Sequence, residues 1–142
     1  MAIKRFTGQY RFLSNFFPCN IEYEGVKHRN TETAYQAAKF ADLKEKKKIA
    51  DMTAGESKGY AKGKQPQDWH TRSIGIMEEL VRQKFTKNKH LKEQLLMTKD
   101  EELIEGNNWG DKFWGMVGNT GENHLGKILM RVRAELKQEK GA

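Results

Sequence analysis

Three carboxylates stand where proton transfer would use them. Glu32 opens an expected helix, Glu105 ends a short apolar stretch, and Asp111 lies within Trp109-Gly110-Asp111-Lys112-Phe113-Trp114-Gly115. Cleaving a glycosidic bond calls for a proton on the leaving group, an activated water and negative charge beside the developing oxocarbenium ion. Carboxylates supply all three. The same residues have plainer uses, toward which spacing alone leans: a glutamate suits the positive end of a helix, and an aspartate in such a loop forms an Asx turn.

Trp69, Trp109 and Trp114 fall at loop or loop-to-helix positions, outside the periodic apolar stripes. An indole there stacks on a heterocyclic base, a contact worth about 1–3 kcal/mol, or else plugs the core beneath a long loop. Lys58 follows Thr53-Ala54-Gly55-Glu56, and a lysine desolvated in a pocket attacks a sugar aldehyde as a free amine. Otherwise it is one surface lysine among many. The four histidines and Cys19 lack paired ligand spacing, so no metal site is expected. Neither a phosphate-binding lysine loop nor a dinucleotide-binding glycine pattern is present, and Gly55-Glu56-Ser57-Lys58-Gly59 is not a nucleophile elbow.

The elements that must hold these groups follow from local pattern. Ile21-Glu22-Tyr23 and Val26-Lys27-His28 alternate about Glu24-Gly25, a hairpin signal. Asn30 or Thr31 caps a helix through Ala34, Tyr35, Ala38 and Lys39, with Glu32 in its first turn. Lys44 to Asp51 reads as a second helix with a solvated lysine face, and Thr53 with Glu56 forms a capping box. After Pro66 comes the longest helix, with Ile74, Met77, Val81 and Phe85 on one face, ending near Asn88. Leu91, Leu95 and Leu96 mark a short helix, and Leu103-Ile104-Glu105 a brief strand. Residues 106–126 hold six glycines and two tryptophans, the composition of a shaped loop. Asn123 then caps a last helix with Leu125, Ile128, Leu129, Val132 and Leu136 as its apolar stripe.

With 142 residues, 37% of them apolar, the chain suits one domain and one core. A net charge of +7 implies attraction to anions: nucleic acid, phosphorylated small molecules or acidic surfaces. No run approaches a membrane span, the N-terminus lacks a secretory pattern, and one cysteine suits a reducing compartment, so a cytoplasmic location is expected.

Several separated motifs then agree. They are Arg11-Phe12-Leu13-Ser14-Asn15-Phe16; Thr31-Glu32-Thr33-Ala34-Tyr35-Gln36-Ala37-Ala38-Lys39; Asp68-Trp69; Lys84-Phe85-x-x-Asn88; Leu95-Leu96-x-Thr98; Leu103-Ile104-Glu105; Asp111-x-x-Trp114-Gly115; and Asn123-x-Leu125-Gly126-x-x-Leu129-Met130-x-x-Arg133. In this order they resemble the NADAR, or YbiA-like, superfamily over about residues 6–136. The resemblance implies a mainly α (α+β) fold: one compact domain spanning residues 1–142, with several helices and a few short antiparallel strands near the N-terminus. It implies an N-glycosidase without metal or cofactor. Members hydrolyse phosphorylated ribosylamino-pyrimidines formed early in riboflavin synthesis, and others remove ADP-ribose from guanine.

By the same resemblance the active-site glutamate falls on Glu32, the catalytic lysine on Lys58, the stacking tryptophan on Trp69, and an Asp–Trp pair on Asp111 and Trp114. Glu105 joins the candidate catalytic acids, while Arg11, Asn15, Lys62, Trp69, Trp114 and Asn123 are the candidate substrate contacts. The expected partner is a phosphorylated ribose-containing small molecule. ADP-ribosylated nucleic acid is the alternative substrate, and a nucleotide-binding module that does not cut is the alternative class. The sequence departs from the family pattern at Thr33, usually His, and at Ala61-Lys62, usually Gly-Arg. Its connection to Trp69 is also one residue shorter.

Overall fold

A computed structural model describes residues 2–141, with side chains through residue 139. In chain order the elements are β1 (Ala2–Ile3), a 3-10 helix (Gly8–Leu13), β2 (Pro18–Tyr23), β3 (Val26–Asn30), α1 (Thr31–Ala37), α2 (Leu43–Ala50), α3 (Ala54–Ala61), α4 (Trp69–Lys87), α5 (Lys89–Met97), β4 (Glu102–Leu103) and α6 (His124–Gly141). They form two compact units, Asn15–Lys87 and Met1–Ser14 with Asn88–Ala142. The mixed α+β class agrees with the sequence reading.

In the unit of residues 15–87, Glu24 and Gly25 both take left-handed backbone, φ 50° and 82°. That geometry matches the twist of a two-residue hairpin, and β2 pairs antiparallel with β3 through it. Along β3 the alternation is clean: Val26, His28 and Asn30 are buried, Lys27 and Arg29 exposed. Asn30 ends the strand and caps α1, its Oδ1 accepting from Thr33 N at 2.8 Å. Every residue of α1 is buried, because the helix packs against β2, β3, α2, α3 and α4. An all-round buried helix has no solvent face, so each polar side chain on it needs a partner inside the protein.

Two expectations change in the helices around it. The lysine run of α2 is not wholly solvated: Lys46 is buried, with Nζ 2.6 Å from Glu24 Oε1 and 3.4 Å from Ala37 O. The cation thereby adds a second donor to the Ala37 carbonyl at the end of α1, which also accepts from Phe40 N at 3.1 Å. On α4 the buried stripe is Trp69, Ser73, Ile76, Met77, Leu80, Val81, Lys84 and Phe85, with Ile74 only half-buried. Trp69 therefore belongs to the core stripe rather than lying outside it. The Thr53–Glu56 capping box forms as read, with both reciprocal bonds present.

In the other unit β1 and β4 pair in parallel, Ala2 against Glu102 and Ile3 against Leu103, so the strands are not all antiparallel. The α6 stripe of Leu125, Ile128, Leu129, Val132 and Leu136 is buried as read. Asn123 does not cap α6 with its side chain. Its backbone is left-handed, φ 52°, and its amide is occupied elsewhere, as described below. Among the described residues, no helix is long and apolar enough to cross a membrane.

Candidate active site

Helical spacing gathers the first cluster. Residues three and four places after Glu32 lie on its face of α1; these are Tyr35 and Gln36, and Lys39 follows in the turn just past the helix end. Glu32 is only 7% exposed, and its backbone N–H donates to Asn15 O at 3.0 Å. Gln36 Nε2 donates to Glu32 Oε2 at 2.5 Å. A carboxylate oxygen accepts this amide N–H. Gln36 Oε1 is buried and finds no hydrogen-bond partner among the described residues, an arrangement costing about 1–3 kcal/mol.

Trp69 and Tyr35 continue the cluster. Their ring centroids lie 5.2 Å apart, and Trp69 Nε1 donates to the Tyr35 hydroxyl at 3.2 Å. Lys39 Nζ sits 5.9 Å from each ring centroid, and Arg72 Cζ 5.9 Å from the indole. Burial pushes the Lys39 ammonium below the ordinary lysine range, and the Glu32 charge partly restores it. The residue is half-buried, hence both desolvated and open to solvent. Lys84, by contrast, is 1% exposed, and burial lowers its pKa to about 8 despite Cys19 nearby.

Beneath α1, His28 Nδ1 lies 2.9 Å from Thr33 Oγ1. Thr33 occupies the position where the sequence departs from the family histidine, and His28 meets it from β3. Burial, then the Lys46 charge, lowers the His28 pKa to about 4, so the ring is neutral at physiological pH.

The remaining candidates of this unit differ in burial. Lys58 is exposed on α3 and Lys62 is exposed at its end. Asn15 is half-buried and donates through Nδ2 to Met77 Sδ at 3.5 Å.

The second cluster occupies the glycine-rich loop of the other unit. Asn123 Oδ1 accepts from Glu105 N and its Nδ2 donates to Leu103 O, both at 2.9 Å. Asn107 Nδ2 donates to Asp111 O at 2.9 Å and to Glu105 Oε2 at 3.2 Å, while its Oδ1 accepts from Asp111 N at 3.0 Å. Asp111 Oδ1 accepts from Phe113 N and Trp114 N at 3.1 and 2.9 Å, the Asx turn that was one of the two sequence readings. Trp114 is half-buried, edge-on to Phe113 at 4.9 Å, whereas Trp109 is 62% exposed. Gly115 allows close approach: a Cβ there would collide with Glu105 O and crowd Asn107 Nδ2. Arg11, on the 3-10 helix of this unit, is exposed.

Sequence reasoning thus missed Gln36, Tyr35 and Lys39 as site residues. Their three-, four- and seven-residue steps from Glu32 were a legible signal. Among the described residues, no group of three or more His, Cys, Asp or Glu is placed to hold a metal.

Comparison with known proteins matches this architecture. The chain is 40% identical to a riboflavin biosynthesis protein of Vibrio vulnificus over 133 residues, 89% of this chain but only 36% of that protein's length. It is 38% identical to an N-glycosidase of Nostoc punctiforme over 136 residues, 90% of this chain and 86% of that one. With N-glycosidase YbiA of Escherichia coli it shares 31% identity over 141 residues, 92% and 84% of the two chains. The NMR structure of Escherichia coli YbiA superposes with a TM-score of 0.84 at 28% identity, covering 99% of this chain and 86% of that one. With the NADAR domain model matching residues 4–137, the chain belongs to the NADAR domain family.

Proposed function

We propose that this chain is an N-glycosidase, a hydrolase that cuts the bond between ribose C1 and the nitrogen of a phosphorylated ribosylamino-pyrimidine. The observation that carries this reading is the buried Glu32, held by Gln36 on α1 with Lys39 nearby. The names of the relatives, an N-glycosidase and a riboflavin biosynthesis protein, support the reaction and the substrate class. The net charge of +7 suits a phosphorylated sugar.

The reaction runs through an amine. Lys39, half-buried and desolvated, attacks C1 while the C1–nitrogen bond breaks, and the departing nitrogen takes the proton that Glu32 relays from the ammonium. The ring then opens: the C1–ring oxygen bond breaks as the lysine nitrogen forms C1=N, and Glu32 passes a proton from that nitrogen to the ring oxygen. Water then adds to the resulting C1=N bond as Glu32 accepts its proton, releasing the sugar aldehyde and regenerating the lysine. Tyr35 and Trp69 form an aromatic wall beside the amine. Lys39 is favoured over Lys58 because its desolvation and its charge coupling to Glu32 occur together, and over Lys84 because that residue is enclosed.

Two measurements test the proposal. Chromatography after incubation with the adduct should show free pyrimidine base. Borohydride added during turnover should leave a stable adduct on Lys39, located by peptide mass spectrometry. Base release without any lysine adduct would replace the covalent route by direct attack of water. A mark on Lys58 would restore the sequence-based assignment. Faster release from ADP-ribosylated guanine, with a steep loss at higher salt, would move the substrate to nucleic acid.

A further inference from the structure

Gln36 does more than its hydrogen bond to Glu32 requires. Its side chain is 4% exposed, its Nε2 is given to Glu32, and its Oε1 meets no donor among the described residues. With Nε2 on Glu32 Oε2, the oxygen is the amide atom left over. A buried carbonyl oxygen without a donor is rare in folded proteins and calls for an occupant.

We propose that Gln36 Oε1 accepts a hydrogen bond from the ribose 2-hydroxyl of the bound substrate. This rests on the reading of Glu32 as the group that acts beside the scissile carbon. The two heteroatoms of one amide share a single carbon, so a donor reaching Oε1 lies next to the carboxylate that Nε2 holds. With Glu32 serving C1, the sugar donor within that reach is the hydroxyl on the adjacent carbon. The 3-hydroxyl is one carbon further away, and the 5-phosphate presents no donor when ionised. Contacts to a 2-hydroxyl also strengthen as the neighbouring C1 gains positive charge, which makes Gln36 a specificity-determining residue as well as a positioning one.

The test compares ribosyl and 2-deoxyribosyl forms of the same base adduct, with the full chain and its Gln36→Met variant. Wild type should prefer the ribosyl form by about 10-fold or more in kcat/KM, because the analogue leaves a buried acceptor unmet. The variant should retain less than about a third of that preference. Calorimetry of ribose 5-phosphate against 2-deoxyribose 5-phosphate should show the same discrimination without turnover.

A variant that loses activity equally on both sugars, with its preference intact, would overturn the proposal and leave Gln36 as a positioner of Glu32 alone. Wild type that does not discriminate overturns it without any variant, so a misfolded Gln36→Met chain does not block the test. Wild type that releases no base, yet discriminates the two sugar phosphates through Gln36, would overturn the proposed reaction and keep this contact.

Discussion

On α1, Glu32 and Gln36 meet side chain to side chain, with the Glu32 N–H served by Asn15 O rather than by either side chain. In the 104–123 loop, Asn107, Asp111 and Asn123 give their side chains to backbone groups that no helix or ladder serves. The two clusters contain similar residue types and put them to different work. Polar atoms on a regular element remain available to a ligand; polar atoms in an irregular loop are consumed in making the loop. Substitutions on α1 should therefore act on turnover, and substitutions in the loop on stability.

The strongest way to break this contrast pairs Glu32→Gln with Gly115→Ala. Removing the Glu32 charge should lower kcat by about 10²–10⁴, the usual contribution of a positioned acid–base group, with the unfolding midpoint nearly unchanged. Gly115→Ala should do the reverse. Its methyl would collide with the Glu105 carbonyl in a buried turn, at a cost of about 1–3 kcal/mol as for other overpacking. Calorimetric melts and base-release rates on both variants decide it. Full activity in Glu32→Gln would remove α1 from the chemistry.

Acid supplies the next test, on the α1 side alone. The His28 pKa is about 4 in the folded chain and about 6.5 unfolded, so between these values the unfolded chain binds the extra proton. Stability from this group is complete above the unfolded pKa and is lost as pH falls toward 4, by up to about 3 kcal/mol. His28→Asn keeps a polar contact to Thr33 without a titrating ring. Its melting temperature should fall less between pH 7 and 4.5 than that of wild type, and parallel slopes would show that His28 is not the sensor.

Much of α1 was legible because each device sits within a few residues: the Glu24-Gly25 turn, the Asn30 cap and the four-residue step from Glu32 to Gln36. What escaped depended on distant packing. The burial of Lys46 needs Glu24 and the end of α1 beside α2, and the burial of Trp69 needs Tyr35 across from α4. In the loop, composition announced an irregular segment. Whether Asn123 capped α6 or tied down β4 depended on contacts 18 and 20 residues away, which no local pattern encodes. The exposure of Lys58 was hidden for the same reason, since a capping box fixes where a helix starts and says nothing about which face is covered.

The finest division between the clusters is drawn at Asp111. Its Oδ1 accepts two backbone N–H groups, a task that the amide oxygen of asparagine performs equally well. Asp111→Asn should therefore hold stability within about 1 kcal/mol, the scale of a single hydrogen bond. If the residue works only as a turn former, kcat should also stay within a few-fold of wild type. A carboxylate acting on the substrate behaves otherwise: its loss as charge, with the turn preserved, would depress kcat as steeply as Glu32→Gln does. Because the substitution separates charge from shape, a large fall in kcat at an unchanged melting temperature would make the loop a second source of chemistry. A small one would leave the acid–base work to α1.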